Sequence, residues 1–559
     1  MKTLYSFKSF KQWTNGMSWS GRHFEDSCRN ETRIGMKPFS VGSPKKRKRG
    51  DSVQTTVEET SAVESSLDSR KGINCLPQEL LANIFSYLPP EGIPECSLVC
   101  RKWREATHVE DNLWRKLAFT RWPCYVNSKR NQSWRSFFIS NYRCERLSER
   151  FPFLSDEIEL DVASLSLDKV FSCGWLPLCH SQNETQRYIL AGTKNHKLLV
   201  IDSSQLRMNV FSPPSISVTP ITLSDRSVSY PCHGGIRVVL FHPLNGTVVT
   251  SGCSSHQMLL WDAKSFLSST KCPKPLAGFS EHSDWIFAAD WLNDSVFATA
   301  GRDGKVYAWN TEPNESVVDN ILLERNPSYE REEVPIFKSI SKLVDHGSER
   351  RIREIKSDPF HKQFGILSLS NEEDGEFQVW DVEQRKSIST VPLSSSRDAV
   401  TLAYYPERNV YFVGSHVRLY MVDPRAGRIQ KALYFISNLH ASHIRSLIVR
   451  YHMLTIGFGT GRLFFYDLRK DSESLVRNGH RGLRLGRGWV RQENQTDSPG
   501  PHLIEDYNPA VYCMSYTEDG QNLFIGGGPL QLNLYGSYAS FLKVNPARLV
   551  QTQRPCLEA

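Results

Sequence analysis

At 559 residues the chain exceeds one ordinary compact domain, and 39% hydrophobic with 11% aromatic residues lets most of it bury a core. No apolar run reaches the length of a membrane span and the first residues carry no secretory apolar segment, so a soluble intracellular protein without a membrane partner is expected. Of the net charge of +8, residues 1–70 hold 13 Lys and Arg against 8 Asp and Glu; only +3 remains for the rest, too little for a nucleic-acid-binding domain. The 13 cysteines form no CxxC pair, and the nearest approach, Cys96 and Cys100, lies in an apolar helical pattern. Free buried thiols are therefore expected, with no metal site, no cofactor and no catalytic residue.

Residues 1–71 are polar, rich in Ser, Thr and Glu, and lack periodicity, the composition of a disordered tail. Inside them Pro44 precedes Lys45, Lys46, Arg47, Lys48 and Arg49. The run resembles a monopartite nuclear localisation signal, which implies an importin partner and a protein of nucleus and cytoplasm; a solvated charge cluster is the alternative.

Residues 72–120 change character. Pro77 suits a first helical turn, and Leu80, Ile84 and Leu88 follow at i, i+4, i+8 until Pro89 and Pro90 stop the pattern. A second run from Cys96 to Trp103 and a third from Leu113 to Leu117 complete a predicted three-helix unit. So small a unit gains stability from a partner surface. Residues 121–160 read as a helical linker, with Trp134 to Ile139 and Tyr142 in helical register.

From 161 to 545 the texture is β, followed by a tail at 546–559. Hydrophobic strands ending in Asp or Asn recur at Asp202, Asp262, Asn310, Asp381, Asp423 and Asp467, with intervals of 60, 48, 71, 42 and 44 residues. WD repeats have a period of about 40–45 residues with insertions in loops; the long intervals contain polar insertions at 203–230 and 311–345. A last unit from Tyr512 to Gly528 gives seven blades, eight being the alternative, with the strand around Lys169–Trp175 closing the ring against it. In the segment 282–310, His282, Asp303 and Trp309 are expected to form a buried hydrogen-bond network that fixes their blade, in preference to a catalytic pair.

Two resemblances follow from these residues. The stretch Leu76-Pro77-Gln78-Glu79-Leu80 through Leu88, then Cys96 to Arg104 and Leu113-Trp114, resembles an F-box. That implies docking to a Skp-type adaptor and a cullin scaffold through Leu76, Pro77, Ile84, Leu88, Val99 and Trp103; a helical cap on the propeller is the alternative. The β region, through strings such as His282-Ser283-Asp284-Trp285-Ile286-Phe287, Asn508-Pro509-Ala510-Val511-Tyr512 and Gly526-Gly527-Gly528-Pro529-Leu530, resembles the DDB-and-cullin-4-associated factors that recognise proteins ending in two glutamates.

The fold expected is thus mainly β: a seven-bladed WD-repeat propeller preceded by a small α-helical F-box and a disordered tail. The resemblance implies a substrate receptor of a ubiquitin ligase that binds an acidic C-terminus through Lys169, Lys194, Arg302, Arg351, Arg353 and Arg445. Three carboxylates at such a terminus need several cations converging near the propeller axis. The family reaches its own ligase through a helix that binds the damaged-DNA-binding adaptor, and Trp134 to Arg143 is either a weak version of it or the helical tail of the F-box. A nuclear WD-repeat scaffold outside any ligase is the remaining alternative.

Overall fold

The computed structural model describes residues 73–548 apart from segments between them, the longest being 177–186, 217–234, 435–442, 470–481 and 493–507. The tail 1–71 and its basic run Lys45–Arg49 lie outside the described residues. The chain divides into a helical unit, to which the described residues of 73–120 and residues 133–135 belong, and a β unit that takes residues 121–123, 125 and the described residues from 136 onward.

In the helical unit, helices Gln78–Phe85, Gly92–Ser97, Arg101–His108 and Asp111–Arg121 follow a short 3-10 turn. The expected second helix is two helices, broken at Leu98–Cys100 where β-branched Val99 stands between the two helical runs. Leu81, Phe85, Ile93, Cys96, Trp103, Ala106, Leu113 and Trp114 form the core, with Phe85 and Trp103 rings 4.9 Å apart. Burial pushes the Cys96 thiol up to about 12, the mark of an inert packing thiol. Trp103 is interior and its indole N–H donates to Asn74 Oδ1 at 2.9 Å. The stripe read as Leu80, Ile84 and Leu88 is the outer side of the first helix: Leu80 is 49% exposed, Ile84 and Leu88 are half-buried, and Leu88 lies beyond the helix end.

The β unit is a closed propeller of seven sheets. Blade 1 consists of strands Val170–Trp175, Tyr188–Thr193, Leu198–Asp202 and Arg207–Phe211. The innermost strands of blades 2 to 7 are Val239–Phe241, Ile286–Trp291, Arg350–Asp358, Thr401–Tyr405, Ile444–Arg450 and Ala510–Tyr516. Each Asp- or Asn-terminated strand found in the sequence is the third strand of its blade. Such strands read as nearly continuous hydrophobic runs because both faces pack on neighbouring blades: Leu198, Leu199, Val200 and Ile201 are all buried.

Three expectations about connections need correction. The ring is closed by Ser155–Glu159, which pairs antiparallel with Leu534–Val544 as the outer strand of blade 7; Val170–Trp175 is instead the innermost strand of its own blade. The propeller therefore starts inside the segment read as helical linker. The alternation Ser155-Asp156-Glu157-Ile158-Glu159 is too acidic to read as a strand, and only the edge of blade 7 makes it one. Within the insertion 311–345, Ser341–Asp345 is the fourth strand of blade 3, while Val317–Glu324 and Glu332–Phe337 form a hairpin that extends the sheet of blade 2.

Helix Trp134–Leu154 lays its residues from Phe137 onward on the propeller. Phe137, Phe138, Tyr142 and Phe151 are buried, Phe151 against Phe465 and Tyr516 of blades 6 and 7. At its centre Glu145 accepts from Arg121 Nε at 2.9 Å, Trp122 Nε1 at 3.1 Å and His452 Nε2 at 3.1 Å. Burial opposes ionisation of Glu145, yet His452 and Arg121 outweigh it and hold the carboxyl down to about 2. Burial likewise opposes the charge on His452, while Glu145 and Glu407 raise it to about 9. The helix is thereby latched by charge as well as by aromatic packing.

Candidate functional site: a ring of bulged residues at the propeller mouth

A single backbone device repeats around the axis. In five blades the ladder between first and second strands slips by one residue, at Phe171, Phe287, Arg353, Arg445 and Tyr512. A bulge leaves one residue outside the pairing and re-aims its side chain. In each case the preceding residue is a buried β-branched anchor: Val170, Ile286, Ile352, Ile444 and Val511. Blade 2 repeats the pattern as Ile236-Arg237, and blade 5 as Ala399-Val400, each with a buried residue followed by a half-buried one.

Read around the ring, the half-buried positions are Phe171, Arg237, Phe287, Arg353, Val400, Arg445 and Tyr512, three arginines among aromatics and one valine. Several of them pack together: the Arg237 guanidinium lies over Phe171 at 4.5 Å and over Phe287 at 5.3 Å, and the Arg353 guanidinium lies over Phe287 at 4.6 Å. Phe171 meets Tyr512 edge-on at 5.3 Å. Stitching between blades holds the anchors: Ser172 donates to the Ile236 carbonyl at 3.0 Å and Ser446 to the Val511 carbonyl at 2.8 Å.

Desolvation dominates the electrostatics here. Burial pushes the Arg237 guanidinium down to about 10, with nearby Tyr512 acting in the opposite sense, and burial raises the Tyr512 phenol to about 12 against the pull of Arg445 and Arg237. The Nε of Arg445 is buried with no hydrogen-bond partner. A cation in a low-dielectric pocket gains from an incoming anion far more than one in water.

The six sequence candidates divide into three groups on the same face, where the innermost strands start and the second-to-third-strand turns lie. Arg353 and Arg445 belong to the ring. Lys169 and Lys194 sit at the blade 7–blade 1 junction: Lys169 is buried with Nζ donating to the Gln531 carbonyl at 2.9 Å, and Lys194 pairs with buried Asp168 at 3.3 Å. Arg302 and Arg351 line a cavity of about 440 Å3 between blades 3 and 4. In the run Arg350-Arg351-Ile352-Arg353, Arg350 is paired with Glu376 at 2.6 Å and Ile352 is core, which separates the roles of Arg351 and Arg353.

Arg237, Phe171, Phe287 and Tyr512 were missed as site residues. Their signal is present in the sequence: aligning six of the blades on the β-branched residue at or near the start of the innermost strand puts Arg or an aromatic ring next to it each time.

The blade 3 network is present and has a fourth member. Trp309 Nε1 donates to Thr299 Oγ1 at 2.8 Å, Thr299 Oγ1 stands 2.8 Å from His282 Nε2, and His282 Nδ1 donates to Asp303 at 3.0 Å. Burial works against the Asp303 carboxylate, but His282 and the backbone N–H groups of Ser283 and Lys305 hold it below the usual range. Both imidazole nitrogens are thus engaged within the blade. Gly301 makes room for this network, since a Cβ there would stand 2.8 Å from Asp303 Oδ1.

The fold is that of a closed β-propeller preceded in the sequence by a small helical unit of F-box type. The family model of the DDB1- and CUL4-associated factor 12 beta propeller matches residues 151–543, well over half of the chain, and the chain belongs to that family. An F-box-like model matches residues 73–120. The chain is also similar to F-box/LRR-repeat protein 5 of Danio rerio, at 42% identity over 53 residues (10% of this chain, 8% of the relative). An F-box/LRR-repeat protein of Arabidopsis thaliana shows 48% identity over 46 residues, 8% of this chain and 10% of the relative. The chain thus spans about a tenth of the length of either curated relative.

Proposed function

We propose that this protein is the substrate-recognition subunit of a cullin-RING ubiquitin ligase of the Skp–cullin–F-box type, and that its propeller mouth receives an acidic C-terminal tail of the substrate. The observation that carries the reading is the ring in which Arg237, Arg353 and Arg445 alternate with aromatic residues. Its guanidiniums offer bidentate donors to carboxylates, and the aromatic walls exclude water around them. Lys169 and Lys194 flank the ring, the second already held by Asp168. A tail ending in Glu-Glu brings three carboxylates, one for each arginine. The chain itself performs no bond chemistry in this reading: it holds the substrate near a charged ubiquitin-conjugating enzyme. The basic run Lys45–Arg49 serves nuclear import through an importin.

The helical unit supplies the docking face for the Skp-type adaptor. Leu80 and Leu98 are 49% and 58% exposed, and Leu76, Pro77, Ile84, Leu88 and Val99 are exposed or half-buried, with Trp103 beneath them as core. Such apolar exposure on so small a unit is what a partner covers. The cullin-4 route loses ground because Phe137, Phe138 and Tyr142 of the helix in question are buried in the propeller unit.

Peptides ending in Glu-Glu should bind the full chain, and one added C-terminal Gly should weaken them by at least tenfold. Arg353→Glu with Arg445→Glu should abolish that binding. Wild-type-like binding by the double variant would remove the ring from the reading. Separately, Leu80→Asp with Leu98→Asp should release a co-purified Skp-type adaptor; retention of the adaptor would remove the docking face.

A further inference from the structure

We infer that the cavity between blades 3 and 4 is a second anion subsite, which takes an anionic side chain of the bound substrate upstream of its terminus. The inference rests on the reading that substrate chains lie on this face, but not on their ending in Glu-Glu.

The cavity of about 440 Å3 is lined by Arg302, Lys305 and Arg351, with Ser283, Ser348 and Asn371 between them. Two carboxylates face the cations. Asp303 is committed to His282, and Asp284 stands at a loose 3.7 Å from Arg302 while accepting from the Trp285 backbone N–H. Three cations against two carboxylates, one of them only loosely paired, leave the cavity with a net positive charge. The Nε of Arg351 is buried and has no hydrogen-bond partner, an orphaned donor in a pocket of hydroxyl and amide groups. A carboxylate offers two acceptor oxygens; a phosphomonoester offers three and nearly two charges, and so matches the cavity more fully.

The walls are fixed. Gly304, with φ +72°, lies so close to the following loop that a Cβ would stand 2.2 Å from the Gly347 carbonyl oxygen. The Arg302 ring contact with Trp285, 5.2 Å from cation to centroid, braces the opposite side. The pocket is therefore preformed, and an anion entering it has little ordering cost to meet.

The test uses the full chain and labelled peptides ending in Glu-Glu that carry serine, glutamate or phosphoserine at successive upstream positions. At one register the phosphoserine peptide should bind about tenfold tighter than the serine peptide, with glutamate between them. Lys305→Gln and Ser348→Ala, alone and together, should leave the serine peptide at wild-type affinity and remove most of the gain. A gain that is absent at every register in the wild-type protein, or that survives in the double variant, overturns the inference. Phosphoserine peptides ending in Gly-Gly complete the set: if these bind in a Lys305-dependent way as tightly as their Glu-Glu counterparts, while the serine peptide ending in Glu-Glu does not bind, the tail reading is removed and the subsite is kept.

Discussion

Thr299 is the residue on which the blade 3 network turns, because one hydroxyl accepts from Trp309 and serves His282 at 2.8 Å each. Thr299→Val keeps the shape and leaves two buried groups without a partner, at about 1–3 kcal/mol each. Denaturant unfolding should show a loss of about 2–6 kcal/mol with little change in slope. The sequence displayed His282, Asp303 and Trp309, whose spacing is regular, whereas Thr299 is one threonine among many until strand pairing sets it opposite Tyr307 and beside Trp309. The same limit explains Lys169 and Lys194. Their charge is visible in the sequence, but the Gln531 carbonyl that holds Lys169 lies 362 residues away. At the mouth, Arg237→Ala should weaken binding of the Glu-Glu peptide by at least tenfold while leaving the thermal midpoint within a few degrees, a difference that titration and scanning calorimetry will separate.

Helix Trp134–Leu154 and the strand that follows it show how an element acquires a role that its own residues do not announce. Its helical register was legible from Trp134 to Tyr142, but the buried Glu145 was not, since a lone glutamate in a helix reads as surface. Glu145→Gln removes one member of a buried charged set and should cost about 3–5 kcal/mol in unfolding free energy. The pH dependence follows from the raised His452. Its folded value of about 9 lies above the ordinary 6.5, so the stabilisation is complete below about pH 6.5 and is lost as pH rises through 9. Glu145 acts oppositely: with its carboxyl held down to about 2, its contribution is present above pH 4.5 and disappears only as pH falls through 2. Unfolding free energy should thus fall by on the order of 2–3 kcal/mol between pH 6.5 and 9, and His452→Gln should flatten that slope. An unchanged slope in the variant would assign the alkaline loss to another group.

For the molecule as a whole, seven blades and a separate helical unit were readable because each blade repeats one hydrophobic strand and each F-box position is local in sequence. What escaped was whatever depends on the ring being closed: the strand that closes it, the bulged residues that closure brings around one axis, and the fourth strand of blade 3 hidden behind an inserted hairpin. Since the ring's charges meet in a partly open mouth, peptide affinity should fall steadily as salt is raised from low to physiological ionic strength, when the Debye length contracts to about 8 Å. Salt-independent binding would mean that the arginines lie outside the contact.

Ser155–Glu159 completes a sheet whose other four strands, Trp489–Gln492, Ala510–Tyr516, Asn522–Gly528 and Leu534–Val544, all lie far downstream in the chain. A nascent or prematurely terminated chain ending before residue 510 would hold a finished helical unit and six sheets with an unsealed seam, the acidic strand waiting for a neighbour that never arrives. On the proposed role of the helical unit, such a fragment would occupy the ligase scaffold with no completed mouth to present, so a stop codon before residue 510 should behave as an inhibitor of the longer protein and not as a simple loss of it.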